Sequence, residues 1–177
     1  MKYLLLLTSI VNFSVEAGAP DFYVALSNKT EVPVDILLAL ASVETDVKLT
    51  NGDYLPWPYS INLNGNAERY STSELMISRA SQLVEQGVIH FDCGLFQVNW
   101  KWNGRVRANS LPEACNPESN GIIAATIIKE YFVSTGSWVE AAGKYHNPAN
   151  KNGAADRYKK YFKIKLKKAR RIINGND

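Results

Sequence analysis

The sequence predicts a mostly α domain of the α+β kind, a helical body beside a small antiparallel β-wing. Three observations carry that prediction. Several stretches place apolar residues at spacings of three and four and then stop at Gly or Pro. One Asn64-Gly65 pair lies between two short alternating runs, the strongest local hairpin signal. The chain of 177 residues is 46% hydrophobic, enough for one core and ordinary for a globular protein.

The chain opens with Lys2, an apolar run from Tyr3 to Val15, and the small residues Ala17, Gly18 and Ala19. This is the layout of a secretory signal peptide, and the run is short for a bilayer span. The expectation is removal of residues 1–17 and export of a domain covering 18–177. Cleavage after Ala19 is the alternative, made awkward by Pro20, and an uncleaved anchor is a further one. Asp21 to Val32 reads as a partly helical lead-in.

The helix from Pro33 to Asp46 organises the rest. Pro33 suits a first helical position, and the Leu and Ala residues after it are good helix formers. At about 100° per residue, Leu37, Leu40, Ala41 and Glu44 share one narrow face. Asp35 and Asp46 fall roughly opposite, where water is expected. Glu44 is then a lone carboxylate ending an apolar stripe. Burial disfavours its charged form and raises its pKa, as a general acid requires. The plainer reading has Glu44 bending into solvent or pairing with an Arg.

Thr50-Asn51-Gly52-Asp53 is a turn cluster, and Pro56-Trp57-Pro58 imposes extended backbone. Tyr59–Leu63 and Asn66–Tyr70 form the hairpin around Asn64-Gly65. Ser71-Thr72-Ser73-Glu74 has capping-box spacing and opens a helix to about Gln86, stopped by Gly87. Val88 to Phe91 is the candidate third strand. A long helix runs from Asn120 to Thr135, ended by Gly136. Ser137-Trp138-Val139-Glu140 opens a short helix through Tyr145. The last helix covers Ala154 to Ile173, with Tyr158, Phe162, Leu166, Ala169 and Ile173 as its apolar face.

Cys93 and Cys115 suggest one disulfide in an exported protein, two buried thiols being the other reading. Charge is uneven. Arg157 to Arg171 holds nine of the 20 basic residues and no acid, leaving 11 against 17 acidic residues elsewhere, a net of −6. The plain reading is a solvated cationic helix face. The sharper one is attraction to anionic lipid headgroups or an envelope partner. Nucleic acid is not an expected partner of an exported chain.

Few chemistries remain open. With two histidines, His90 and His146, and no His-Glu-x-x-His, Cys-x-x-Cys or acidic calcium loop, no metal or cofactor is expected. There is no Gly-x-Ser-x-Gly or phosphate-binding Gly loop, and nothing in spacing favours a Cys93/His146 dyad. The surplus of Trp, Tyr, Asn and Gln around one glutamate suits sugar, since aromatic faces stack on rings and amides bridge hydroxyls. Trp57, Trp100 and Trp102 are candidate platforms or simply packing residues. Glycoside cleavage needs a protonated acid and usually a second carboxylate. Asp53, Glu68 and Asp92 are candidates, none singled out by spacing.

Three segments, Ala-Ser-Val-Glu44-Thr45-Asp, Gly94-Leu95-Phe96-Gln97-Val98-Asn99 and Ala141-Ala142-Gly-Lys-Tyr145-His-Asn-Pro, resemble in order the signatures of the soluble lytic transglycosylase family. Pro56-Trp57-Pro58-Tyr59-Ser-Ile-Asn resembles a segment of members tied to conjugation, type IV secretion and related trans-envelope machines. The resemblance spans roughly Pro33 to Tyr161. It implies a lysozyme-like fold, a periplasmic location and cleavage of the MurNAc–GlcNAc bond of peptidoglycan with a 1,6-anhydro product. It implies Glu44 as the single acid/base, with Gln97 and Asn99 lining the sugar site and Tyr145 bonded near Glu44 or the acetamido group. Gly94 would let backbone approach the ligand. Two positions depart from the pattern but keep an implied place among the substrate-binding residues: Thr45 stands for the common Ser, keeping the hydroxyl, and Phe96 for the common Met, keeping an apolar wall. Components of a secretion, conjugation or pilus machine are implied partners. A lysozyme-type hydrolase, and a non-catalytic peptidoglycan-binding assembly subunit, are the alternatives.

Overall fold

The computed structural model describes residues 21–175. The segment expected to be a signal peptide, with both cleavage candidates, lies outside the described residues. The chain is mostly α with two small antiparallel sheets. No helix among the described residues is long and apolar enough to cross a membrane.

The lead-in is α1, Asp21–Thr30, and the organising helix is α2, Val34–Thr45. Pro33 sits just before α2, and its carbonyl accepts from the N–H groups of Ile36 and Leu37 at 3.0 and 3.1 Å. It therefore caps the helix instead of starting it. The narrow apolar face is also too modest a reading. Every residue from Ile36 to Ala41 is buried, because α2 runs through the middle of the body with α1 and the last helix against it.

Asp46 departs from its expected place in water. It leaves the helix as the first residue of β1, Asp46–Lys48, and its side chain is 9% exposed. Lys165 Nζ lies 2.6 Å from its Oδ2, and that cation makes the burial tolerable. β1 pairs antiparallel with β2, Tyr54–Pro56, across the Thr50–Asp53 turn. The turn and the extended Pro56 were expected; their pairing was not.

The wing is a four-stranded sheet. β3, Ser60–Leu63, and β4, Asn66–Arg69, make the expected hairpin. Asn64 and Gly65 take φ values of 53° and 86°, which suits this pair at a two-residue turn. After α3, Ser73–Glu85, come β5, Asp92–Cys93, and β6, Val98–Asn99, giving the order β4-β3-β5-β6. The third strand thus lies beyond Val88–Phe91. The helix end consumes that segment: Gly87 takes φ 78°, and the Val88 N–H bonds back to the Leu83 carbonyl at 2.8 Å. The N-cap of α3 is Thr72, not Ser71, its hydroxyl accepting from Leu75 N–H at 3.3 Å.

A wide turn over Trp100–Gly104 leads into α4, Arg105–Arg107, and α5, Leu111–Cys115. Next comes α6, Pro117–Thr135. It begins three residues earlier than expected, because Asn116 Oδ1 accepts from Glu118 and Ser119 N–H and Pro117 takes the first helical position. The body closes with α7, Trp138–His146, capped by Ser137, and α8, Ala154–Ile173. α8 packs along α2 and α7, and α6 along α7 and α1. Tyr158, Phe162, Leu166 and Ala169 face inward as expected, and Ile173 is half-buried. Cys93 and Cys115 are disulfide-bonded with Cα atoms 5.5 Å apart, tying β5 to the end of α5.

Candidate active site

Glu44 ends α2 where the wing meets the body. It is half-buried, its carboxyl packed round by protein. Burial pushes its pKa from 4.5 to about 8. A hydrogen bond from Tyr158 works in the opposite direction, and the nearby Asp92 charge adds a smaller upward push. At neutral pH the carboxyl therefore holds its proton.

The next residue joins the two halves of the site. Thr45 is buried, with Oγ1 3.0 Å from the Ala41 carbonyl and 2.9 Å from the Leu95 carbonyl. Its hydroxyl thus ties the end of α2 to the Gly94–Gln97 turn. The hydroxyl is therefore engaged within the protein as a positioning bond.

The turn is shaped from beneath by Asn120. Its Nδ2 donates to the carbonyls of Cys93 and Ala114 at 2.9 and 2.7 Å, and its Oδ1 accepts from Phe96 N–H at 2.9 Å. Gly94 takes φ 84°, and a Cβ there would stand 2.6 Å from Asn120 Cγ. Its left-handed backbone and the asparagine below it thus both call for glycine here. Phe96 departs from its expected place. Its ring is fully buried, edge-on to Tyr23 and close beneath Gly121, so it is core instead of a wall of the sugar site. The side-chain amide of Asn120, fully buried in α6, is what organises these backbone groups, its nitrogen holding two carbonyls and its oxygen one N–H.

Gln97 is half-buried with φ 49°, left-handed backbone uncommon for a residue with a side chain. Its Nε2 donates to the carbonyls of Gly94 and Ser60 at 2.9 and 3.2 Å, pinning the turn to β3. Asn99, also half-buried, donates from Nδ2 to Asp92 Oδ1 at 2.8 Å, and its Oδ1 accepts from Trp102 N–H. Both amides are engaged within the protein, which fixes their orientation.

The candidate second carboxylates now separate. Asp53 is exposed in its turn with Asn51. Glu68 is held by Arg79 and by the Tyr70 hydroxyl, which keeps its carboxyl below the usual range. Asp92 alone of the three sits near enough to act on Glu44. Burial raises its own pKa, with the Asn99 bond opposing.

Two tyrosines close the site, and only one was anticipated. The Tyr145 hydroxyl donates to the Phe96 carbonyl at 2.7 Å, not to Glu44. Burial, with the Glu44 and Asp92 charges, raises its pKa well above the usual phenol value. The partner of Glu44 is Tyr158 on α8, whose hydroxyl donates to Oε1 at 2.5 Å. The His146 ring stacks on Tyr158 at 4.5 Å and 11°. Tyr158 was assigned to the apolar face of α8, which is correct. The sequence signal for more was a polar tip on a core face, since a buried tyrosine hydroxyl needs a partner. Of the tryptophans, Trp100 is buried, Trp57 donates to the Tyr70 carbonyl at 2.8 Å, and Trp102 is exposed.

The arrangement can deliver and then retrieve one proton at a desolvated carboxyl. Comparison with protein-family models, with curated proteins and with solved structures gave no match.

Proposed function

We propose that this chain is a peptidoglycan lytic transglycosylase. Glu44 gives its proton to the glycosidic oxygen between MurNAc and GlcNAc as that C–O bond breaks. The MurNAc acetamido group supports the positive charge developing at C1. Glu44, now a carboxylate, takes the proton of the MurNAc 6-hydroxyl as its oxygen bonds to C1. The products are a 1,6-anhydroMurNAc end and a free 4-hydroxyl on GlcNAc, and Glu44 is again protonated. No water is consumed, so a site that excludes water favours this course over hydrolysis.

The observation that carries the reading is the state of Glu44: protonated by burial, oriented by Tyr158, and set against the turn that Thr45 ties to α2. The three sequence signatures supply the substrate class. The Pro56–Asn62 segment suggests that the enzyme opens gaps in the periplasmic wall for an envelope-spanning secretion, conjugation or pilus apparatus.

A lysozyme-type hydrolase is the second reading, and Asp92 is the observation that favours it, because a second carboxylate near the acid is what hydrolytic glycosidases use. Digestion of purified sacculi followed by mass analysis separates the two. Anhydro-ended muropeptides are the expected product, and reducing ends support the hydrolase. A Glu44→Gln protein that digests as well as wild type removes Glu44 from the chemistry. A wild-type protein that binds sacculi and releases nothing is a non-catalytic wall-binding subunit.

A further inference from the structure

We propose that the outward face of α8 docks on the surface of an anionic phospholipid bilayer. The proposal does not depend on the catalytic reading. Nine cations lie between Arg157 and Arg171; Arg157, at the start of the helix, bonds the Asn152 carbonyl, and the helix divides the other eight into two sets. Those nearest the body are neutralised: Lys159 by Glu140 and Asp156, Lys165 by Asp46, and Arg170 by Asp35. The outer set is not. Lys160, Lys163, Lys167, Lys168 and Arg171 are exposed and have no acidic partner among the described residues.

Their arrangement is regular. Lys163, Lys167 and Arg171 recur every four residues and form one row along the helix. Lys160, Ile164 and Lys168 form the next row, with Ile164 65% exposed between its two lysines. Tyr161, 63% exposed, lies beside it. Lys168 and Lys165 also reach over the ring of Tyr54, at 5.9 and 5.2 Å, bringing the exposed Tyr54 and Leu55 of β2 alongside this face. On its other flank Val139 and Leu166 floor an open groove of about 440 Å³, bordered by Lys163, Lys167, Arg170 and Arg171.

Single exposed apolar side chains mean little by themselves. Here aliphatic and aromatic groups are interleaved with unpaired cations, on a helix already held rigid by its inner face. A soluble polyanion would use the cations and leave Ile164 and Tyr161 in water. A bilayer surface uses both. Its negative potential attracts the lysines within a Debye length. Its interfacial zone accepts an isoleucine and a tyrosine.

Cosedimentation of the full chain with vesicles tests this, comparing phosphatidylglycerol-containing with pure phosphatidylcholine vesicles at low and high salt. Binding is expected on the anionic vesicles only, weakening as salt rises. The triple variant Lys163→Glu, Lys167→Glu, Arg171→Glu should bind them at least about tenfold more weakly, since each surface cation makes its own contribution. Ile164→Ser with Tyr161→Ser should reduce vesicle binding several-fold while leaving retention on a soluble polyphosphate matrix unchanged. Glu44→Gln should bind vesicles like wild type. Far-UV circular dichroism confirms that each variant is folded. Equal partitioning onto neutral vesicles, wild-type binding by the triple variant, or retention by polyphosphate without vesicle binding would overturn the proposal.

Discussion

The hydroxyl of Tyr158 donates to Oε1 of Glu44 at 2.5 Å, across 114 residues of sequence. The bond holds the carboxyl in place, and it also favours the ionised form of Glu44, so burial must overcome it. Asp92 acts with burial, its charge disfavouring a second negative charge nearby.

These two neighbours predict opposite shifts in the pH profile. Tyr158→Phe removes a bond that lowers the Glu44 pKa, so the alkaline limb of kcat/KM should move to higher pH. Asp92→Asn removes a like charge, so the same limb should move to lower pH. Turnover of purified sacculi followed from acid to alkaline pH gives both midpoints. Shifts in one common direction would mean that one of the two residues does not act on the Glu44 proton as described.

Stability should depend on pH at the same residue. Between 4.5 and about 8 the unfolded chain releases the Glu44 proton while the folded chain keeps it. The folded state then binds more protons, so this residue's contribution falls as pH rises through that window. Glu44→Gln cannot ionise and can still accept from Tyr158. It should melt at about the wild-type temperature below pH 4.5 and higher above pH 8. At about 1.36 kcal/mol per pKa unit the difference amounts to a few kcal/mol. Thermal unfolding at the two pH extremes measures it.

Gly94 and Asn120 should be coupled. Gly94→Ala places a Cβ against the asparagine side chain in left-handed backbone, at a cost of about 3 kcal/mol. Asn120→Ala leaves the Cys93 and Ala114 carbonyls and the Phe96 N–H without their partner, at a cost on the order of 4 kcal/mol. In the double variant the clash is gone, so the loss in urea unfolding should be smaller than the sum of the two. Additive losses would mean that Gly94 is needed for its backbone angle alone.

Reduction of the Cys93–Cys115 bond should be felt at the same turn, because Asn120 binds the Cys93 carbonyl and the carbonyl of Ala114 beside Cys115. The closed loop, with a sequence separation of 22, corresponds to roughly 3 kcal/mol by chain entropy. Urea midpoints with and without reductant give the stability change. Hydrogen exchange at Phe96 N–H should accelerate when the bond is reduced.

The fold was legible mostly where a local rule decided it, although the local caps Thr72 and Asn116 were missed. Asn64-Gly65 set the hairpin, Gly87, Gly136 and Ser137 set helix ends, and the spacing of Tyr158, Phe162 and Leu166 set the inner face of α8. Sequence reading failed where distant partners decided the outcome. Asp46 looked solvated because Lys165 lies 119 residues away. Phe96 looked like a site wall because nothing local reveals Tyr23 or Gly121 behind it. Glu44 was legible as a carboxylate ending an apolar run. Its partner was not, because the Tyr145 segment carries the resemblance while α8 carries the bond.

The proton on Glu44 is the central claim, and one titration reads it directly. In protein carrying ¹³C-labelled glutamate, the Glu44 side-chain carboxyl resonance, assigned by its loss in Glu44→Gln, should titrate with a midpoint near 8. A midpoint near the ordinary 4.5 would show an ionised carboxylate at neutral pH and would contradict the account.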